Sequence, residues 1–214
     1  MQVEIWSDVV CPWCYLGKRR FERALESFGH AGEVTVVYRS FELDPQAPPG
    51  VTTPMADVLA SKYRMTPEQA ERTQREMEQR AADDGLEFHM DQLVSGNTRD
   101  AHRLLQLARE RGVQADLDER LHRAYFTERG SIFGHEALAD LAADVGLDRD
   151  EALTVLTEQR YTDEIETDEA MAQAIGASGV PLFVIDRRYG IAGAQPAELI
   201  TQTLDQAWAE AAAS

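Results

Sequence analysis

The chain contains only two cysteines, Cys11 and Cys14, and both lie in the stretch SDVVCPWCYLGKRRF, separated by Pro12 and Trp13. Two thiols at this spacing can be a redox-active pair, half of a zinc site or a structural disulfide. The spacing can also be a coincidence. A disulfide across four residues would close a very small loop, where the entropic stabilisation is least. The spacing therefore argues against a structural disulfide.

A zinc site would need two further ligands at a plausible spacing. The five histidines form no close pair of ligands, and the chain has no second Cys-x-x-Cys motif. We therefore favour a redox-active pair, with zinc binding and coincidence as the alternatives. We expect no bound metal and no cofactor other than the Cys11–Cys14 disulfide itself.

The position of the pair predicts different roles for the two thiols. Cys11 directly precedes Pro12, a residue that suits the first position of a helix. Because a helix N-terminus stabilises negative charge, the pKa of Cys11 should lie below the free value of about 8.5. Cys14 lies about one turn further into the helix and should be more buried and less reactive. We expect Cys11 to form a mixed disulfide and Cys14 to resolve it.

The segments around the cysteines alternate between strand and helix patterns. Residues 2–8 alternate apolar and polar side chains, as a short strand does. A helical pattern begins at Pro12, and residues 33–43 are rich in the β-branched and aromatic residues typical of strands. This order predicts a parallel βαβ unit, with the cysteines where its first strand meets its first helix.

A long helical segment follows the proline-rich loop at residues 44–50. Its pattern is almost wholly helical up to about residue 160, and Thr66 with Gln69 forms the signature of a capping box. Residues 86–96 are a connecting segment whose pattern predicts neither a helix nor a strand.

The last part of the chain returns to mixed structure. We predict a helix over residues 162–178, a hairpin of strands 182–185 and 190–194, and a closing helix from Pro196. The chain should therefore be an α/β protein with one α/β domain, residues 1–43 and 162–214, interrupted by an inserted helical domain, residues 44–161.

The composition limits the classes of partner. Lys and Arg number 21 against 38 Asp and Glu, which gives a formal net charge of −17. Such a charge repels phosphate backbones and anionic membranes. No apolar run approaches the roughly 20 residues of a membrane span, and the first residues, MQVEIWSDVV, lack the pattern of a secretory signal. We expect a soluble cytoplasmic protein that binds neither nucleic acid nor membranes.

The sequence resembles the DsbA-like branch of the thioredoxin superfamily, and within it the FrnE-type proteins, over nearly the whole chain. SDVVCPWCYLGKRRF resembles the active-site helix of the family, and SGVPLFVIDRRYGIAGAQP resembles its proline loop and terminal hairpin. NTRDAHRL and AYFTERGSI resemble parts of its helical insertion. The resemblance implies a thioredoxin-like fold with a helical domain inserted after the second strand.

The resemblance also implies a substrate site around the dithiol. The residue of the superfamily that matches Pro181 has a cis peptide bond and faces the dithiol, and Val180 before it should offer its backbone to an extended substrate segment. With Pro12 and Trp13, these residues form the expected substrate site. Trp13 stands where the periplasmic oxidant relatives carry histidine, which implies a less oxidising couple.

Four residues near these motifs allow two interpretations each. Trp13 is either a platform beside the substrate disulfide or an ordinary aromatic side chain. Asp8 could accept the proton of Cys14 or could be a turn or cap residue. Asn97 and His102 could face the dithiol, or could be a helix cap and an ordinary helix-face residue. For the last three we favour the structural roles.

The predicted function is a cytoplasmic thiol–disulfide oxidoreductase that reduces or isomerises disulfides through Cys11 and Cys14. Its partners would be disulfide-containing proteins or low-molecular-weight thiols, and a reductant or oxidant that recycles it. The alternative is an enzyme like the kappa-type glutathione transferases or hydroxychromene carboxylate isomerases, which share this fold and activate a thiol cofactor at the same helix start. These need no second cysteine, so Cys14 favours the first hypothesis. A binding module that docks through the insertion is the weakest alternative.

Overall fold

The computed structural model describes residues 1–212, which form two compact units. The first consists of Met1–Leu43 together with the chain from Asp163 onward, and the second of Asp44–Thr162. In chain order the strands are β1 (Gln2–Ser7), β2 (Thr35–Ser40), β3 (Thr52–Pro54), β4 (Val94–Gly96), β5 (Leu182–Ile185) and β6 (Tyr189–Ala192). The helices are α1 (Pro12–Ser27), α2 (Met55–Tyr63), α3 (Pro67–Asp83), α4 (Arg99–Arg111), α5 (Gln114–Phe126), α6 (His135–Asp144), α7 (Arg149–Thr157), α8 (Thr162–Ala174) and α9 (Ala197–Ala212).

The first unit is built on a four-stranded sheet with the order β2-β1-β5-β6. Strand β1 pairs in parallel with β2 and antiparallel with β5, and β5 pairs antiparallel with β6. The parallel βαβ unit and the C-terminal hairpin predicted from the sequence are both confirmed. The second hairpin strand covers Tyr189–Ala192 instead of 190–194.

The apolar core of this unit lies between one face of the sheet and helices α1 and α9. Alternate residues of β1, Val3 and Ile5, face this core, as the period of two in a strand requires. The members contributed by α1, β5 and α9 include Phe21, Phe183 and Leu204. On the other face of the sheet, the indole N–H of Trp6 in β1 donates to the backbone oxygen of Asp168 in α8, at 2.8 Å. The central strand is therefore fixed on both faces immediately before it leads to Cys11.

The second unit is mainly helical, as predicted, with one short ribbon of strands. Helix α3 begins with the predicted capping box, in which the side chains of Thr66 and Gln69 each accept a hydrogen bond from the backbone N–H of the other. Strands β3 and β4 pair antiparallel. Neither was predicted, because three residues are too few to show a strand period.

The boundaries of α8 and β2 also differ from the sequence prediction. Helix α8 ends at Ala174 instead of residue 178, because Gly176 adopts a left-handed φ of 74° that no helix can continue through. Strand β2 is shorter than the predicted 33–43 and ends at Ser40. Among residues 1–212, no helix combines the length and the apolar character that crossing a membrane demands.

Candidate active site

The two cysteines lie at the start of α1, where the turn after β1 enters the helix. Cys11 is the N-cap, with extended backbone angles (φ −89°, ψ 112°), and Pro12 is the first helical residue, as predicted. The backbone N–H of Cys11 donates to the oxygen of Asp8, and that of Cys14 donates to the oxygen of Cys11, both at 3.0 Å. This turn presents the Cys11 sulfur at the helix N-terminus.

The pKa values of the two thiols are shifted in opposite directions. A hydrogen bond from the Cys14 thiol lowers the pKa of Cys11, and the backbone N–H groups of Cys14 and Trp13 add to the effect, while burial and the charge of Asp8 oppose it. Burial raises the pKa of Cys14 well above its usual value, and the hydrogen bond and charge of Cys11 raise it further. The thiols are only 4% and 2% exposed, so exposure does not separate them. The predicted difference in reactivity between the two thiols therefore rests on their pKa values.

The physical cause of the low Cys11 pKa differs in part from the sequence-based expectation. The helix N–H groups do contribute, but the neighbouring thiol contributes most. The hydroxyl of Ser7, at the end of β1, also hydrogen-bonds the sulfur of Cys14 and partly offsets the rise in its pKa. Ser7 cannot be recognised as a site residue from the sequence, since a serine that ends a strand carries no chemical signature.

The loop before β5 contacts the Cys11 sulfur. The peptide bond between Val180 and Pro181 is cis, as the resemblance implied. The Cys11 thiol donates to the backbone oxygen of Val180 at an S···O distance of 3.8 Å. The backbone oxygen of Pro181 in turn accepts from the N–H of Gly193, just beyond β6, at 2.8 Å. The predicted substrate residues Val180 and Pro181 thus lie beside the thiol, although about 170 positions away in sequence.

The intervening dipeptide differs in exposure from the cysteines that flank it. Trp13 is 40% exposed, whereas Pro12 is half-buried. An aromatic ring that remains exposed directly beside a buried thiol is available to an approaching substrate. Trp13 is therefore not a core residue.

Asp8 makes the contacts expected of a turn residue. Its side chain is completely buried, and its Oδ2 accepts the N–H of Leu43 at 2.8 Å, so it ties the turn before α1 to the segment after β2. Its negative charge also raises the pKa of Cys11. The structural role is therefore observed together with an electrostatic effect on the thiol.

Asn97 and His102 belong to the second unit. The Oδ1 of Asn97 accepts the N–H of Arg99 at the start of α4, and its Nδ2 donates to the oxygen of Ala47, each at 3.0 Å. Thr98 is the N-cap of α4, so Asn97 lies one residue before the cap and its side chain bridges the turn that leads into the helix, a structural role other than the predicted cap. His102 is buried on α4. Within residues 1–212, no cluster of three or more His, Cys, Asp or Glu side chains is arranged to hold a metal ion.

The opposed pKa shifts predict selective alkylation of the reduced protein. A thiolate forms above the pKa of its thiol, so a lowered pKa gives Cys11 more thiolate at pH 7 than an ordinary cysteine has. Iodoacetamide should modify Cys11 first, with a pH midpoint below that of an ordinary cysteine, and Cys14 only at higher pH, as read by peptide mass spectrometry. Cys14→Ala removes the principal cause of the low pKa, so it should move the Cys11 midpoint upward. A midpoint that stays in place would contradict this origin of the shift.

Comparison with known proteins gives a family and close structural matches. The DSBA-like thioredoxin domain family matches residues 2–205. A probable DsbA oxidoreductase from Streptomyces coelicolor is 47% identical and superposes with a TM-score of 0.94, over 98% of this chain and 91% of that one.

Two more distant structures share the fold. The cytosolic disulfide reductase DsbM from Pseudomonas aeruginosa is 16% identical, with a TM-score of 0.66 over 96% of this chain and 98% of the other. A 2-hydroxychromene-2-carboxylate isomerase is 15% identical, with a TM-score of 0.71 over 99% of this chain and 98% of the other. At such identities the likeness shows the fold alone. It confirms the predicted thioredoxin-like fold with a helical insertion after the second strand.

Proposed function

Because the chain belongs to the DSBA-like thioredoxin domain family, a family of thiol–disulfide oxidoreductases, we propose that it exchanges disulfides through Cys11 and Cys14. The observation that carries the proposal is the arrangement of the two thiols at the start of α1, with Cys11 as the N-cap and Cys14 about one turn further, together with the opposite directions of their pKa shifts. The finer assignment to the FrnE-type proteins stays a prediction.

The first step is attack by the Cys11 thiolate on one sulfur of a substrate disulfide. A bond forms between this sulfur and Cys11, the substrate S–S bond breaks, and the departing thiolate takes up a proton from solvent. The lowered pKa of Cys11 supplies the thiolate that this attack requires. During this step Cys14 is held as a thiol by its raised pKa.

The second step is attack by Cys14 on the sulfur of Cys11. In the mixed disulfide Cys11 carries no charge, so the charge and the hydrogen bond that raise the pKa of Cys14 are both removed. Cys14 can then pass its proton to water and attack the Cys11 sulfur, which forms the Cys11–Cys14 disulfide and breaks the bond between Cys11 and the substrate. The second substrate thiolate leaves and takes up a proton from solvent. The net result is one substrate disulfide reduced to two thiols and the enzyme dithiol oxidised to a disulfide. If instead another thiolate of the same substrate displaces Cys11 from the mixed disulfide, the substrate disulfide is isomerised with no net change in oxidation state.

Substrate recognition is assigned to the loop beside the thiol and to the exposed tryptophan. The contact between Cys11 and the oxygen of Val180 supports a site where an extended peptide aligns its backbone with Val180 while its disulfide meets the sulfur. Pro12 and Pro181 would line this site, and Trp13 would contact the substrate from the solvent side. Substrates are therefore disulfide-bonded proteins or peptides and low-molecular-weight disulfides.

The direction of net reaction follows from the compartment. In a reducing cytoplasm, a pool of small thiols keeps exposed dithiols reduced, so reduction or isomerisation fits better than net oxidation. We place the protein there, with a small thiol such as glutathione as recycling reductant. The structural likeness to a cytosolic disulfide reductase that has also been solved with glutathione supports this choice.

The alternative function is that of a kappa-type transferase or a hydroxychromene carboxylate isomerase, which would use a bound thiol cofactor. In such an enzyme Cys14 would take no part in the reaction. Here Cys14 is the largest influence on the pKa of Cys11 and is itself hydrogen-bonded by Ser7. These contacts favour the dithiol reaction.

The experiment that tests the proposal is trapping with Cys14→Ser. This variant keeps the nucleophile but lacks the resolving thiol, so it should accumulate a mixed disulfide with a disulfide-bonded peptide, visible as a mass increase of one peptide chain. Cys11→Ser is the matched control and should trap nothing. Normal multiple turnover by Cys14→Ser with a peptide disulfide would rule out the dithiol mechanism.

A further inference from the structure

Gly17 lies in the interior of α1, where glycine is less favourable than alanine. Its backbone is buried against the loop that carries Pro181. A Cβ atom at this position would lie 2.8 Å from Cγ of Pro181 and 3.3 Å from Cζ of Phe183. The first distance is shorter than carbon atoms tolerate, so only glycine permits this approach of the helix to the loop.

Both neighbours are held in place by contacts of their own. The ring of Phe183 is 1% exposed and stacks on Phe21 with 5.6 Å between ring centroids. The backbone oxygen of Pro181 is held by the N–H of Gly193 at 2.8 Å. The next residue, Leu182, pairs with Trp6 on one side and Ala192 on the other. A side chain on residue 17 would therefore push the helix and the loop apart.

The helix and the loop carry the two halves of the proposed substrate site. Cys11 is at the start of α1, and its sulfur lies 3.8 Å from the oxygen of Val180, the residue before Pro181. We propose that Gly17 is a positioning residue for disulfide exchange: by letting α1 contact the ring of Pro181, it sets the separation between the Cys11 sulfur and the Val180 backbone. This inference rests on the proposed function.

The effect of Gly17 on the rate should depend on the kind of disulfide substrate. A peptide disulfide must align its backbone with Val180 while its sulfur meets Cys11, so its reaction depends on the separation of the two groups. A small disulfide such as 2-hydroxyethyl disulfide has no peptide backbone to align and needs only the thiolate. Besides its burial, the groups that shift the pKa of Cys11 are Cys14, Trp13 and Asp8, all of which lie in the turn and helix start that carry the sulfur.

The test compares Gly17→Ala with wild type on both disulfides. We expect kcat/KM for a disulfide-bonded peptide to fall roughly ten- to a hundredfold, mainly through KM, since displacements of about 1 Å can cost this much. The rate with 2-hydroxyethyl disulfide and the pH midpoint of Cys11 alkylation should stay within about twofold of wild type. Gly29→Ala is the matched control and should change nothing, since a Cβ there meets no atom within 4 Å.

A second variant covers the case in which Gly17→Ala does not fold. Phe183→Leu removes one of the two crowding side chains, so Gly17→Ala combined with Phe183→Leu should fold and should show the same selective loss relative to Phe183→Leu alone. Equal losses on both disulfides, no loss on either, or failure of both alanine variants to fold would each overturn the positioning role. If wild type itself reduced neither disulfide, the proposed function would fail instead, so the two failures are distinguishable.

Discussion

Replacement of Cys11 by serine is expected to reduce the rate of disulfide reduction by at least about 10³-fold, because loss of a covalent nucleophile costs on the order of 10⁶ in a well-studied hydrolase. A hydroxyl is a far weaker nucleophile than a thiolate and cannot form a disulfide. The measurement is reduction of a disulfide-bonded peptide with glutathione as recycling thiol, corrected for the rate with glutathione alone.

The remaining thiol makes this variant informative. Removal of the Cys11 thiolate should lower the pKa of Cys14, since the charge and hydrogen bond of Cys11 both raise it. Cys14 nevertheless lies inside α1, about one turn beyond the helix start that presents Cys11, so we expect it to remain out of reach of a peptide disulfide. Substantial residual reduction by Cys11→Ser that disappears in Cys11→Ser combined with Cys14→Ser would show that Cys14 can attack directly. The division of roles between the two thiols would then be wrong.

The strand and helix that position Cys11 could be predicted from local sequence signals. The alternation in residues 2–8 and the start of a helical pattern at Pro12 place a strand directly before a helix. Proline at the first helical position fixes the register, which leaves Cys11 as the N-cap. These signals need no knowledge of the rest of the chain, so they correctly placed Cys11, the proposed nucleophile, at a helix N-terminus.

The other half of the site could not be obtained from such signals. Pro181 taken alone is only a proline before a strand, and its approach to Cys11 entered through resemblance to known proteins. The contact of Gly17 with Pro181 joins residues 164 positions apart along the chain. The contact of Ser7 with Cys14 could not be predicted either, because it depends on the turn between the end of β1 and the start of α1. Tertiary contacts of this kind leave no periodic pattern in a sequence.

A buried charge network beside the central strand should have a large effect on stability. Nε and Nη2 of Arg39 donate to Oε1 of Glu4 at 3.0 and 2.6 Å, and its Nη1 donates to Oδ1 of Asp168 at 2.9 Å. Oδ2 of Asp168 accepts the N–H of Ser40 at 3.0 Å. The side chains of both acids are 2% exposed. One guanidinium therefore compensates two carboxylates that have little access to water.

Arg39→Met is expected to lower the free energy of unfolding by about 3–5 kcal/mol, because removal of one partner leaves buried charge uncompensated. Arg187 also contacts Glu4, at 3.2 Å, and can compensate part of the charge of Glu4 after the substitution. The carboxylate of Asp168 should therefore be the less compensated of the two. Arg188→Met is the matched control. Its ion pair with Glu210 joins side chains that are 52% and 43% exposed, and its removal should cost only about 0–1 kcal/mol. Urea unfolding followed by circular dichroism gives both values.

A third variant separates uncompensated charge from lost packing. Asp168→Asn in the Arg39→Met background removes one buried charge and keeps an acceptor for Ser40, so it should recover part of the stability. If the double variant is no more stable than Arg39→Met, the loss comes from packing of the arginine side chain and the electrostatic account is wrong. Activity supplies an independent check. None of these residues contacts either sulfur in the described structure, so Arg39→Met should keep the wild-type rate of peptide disulfide reduction per folded molecule, at temperatures where it remains folded.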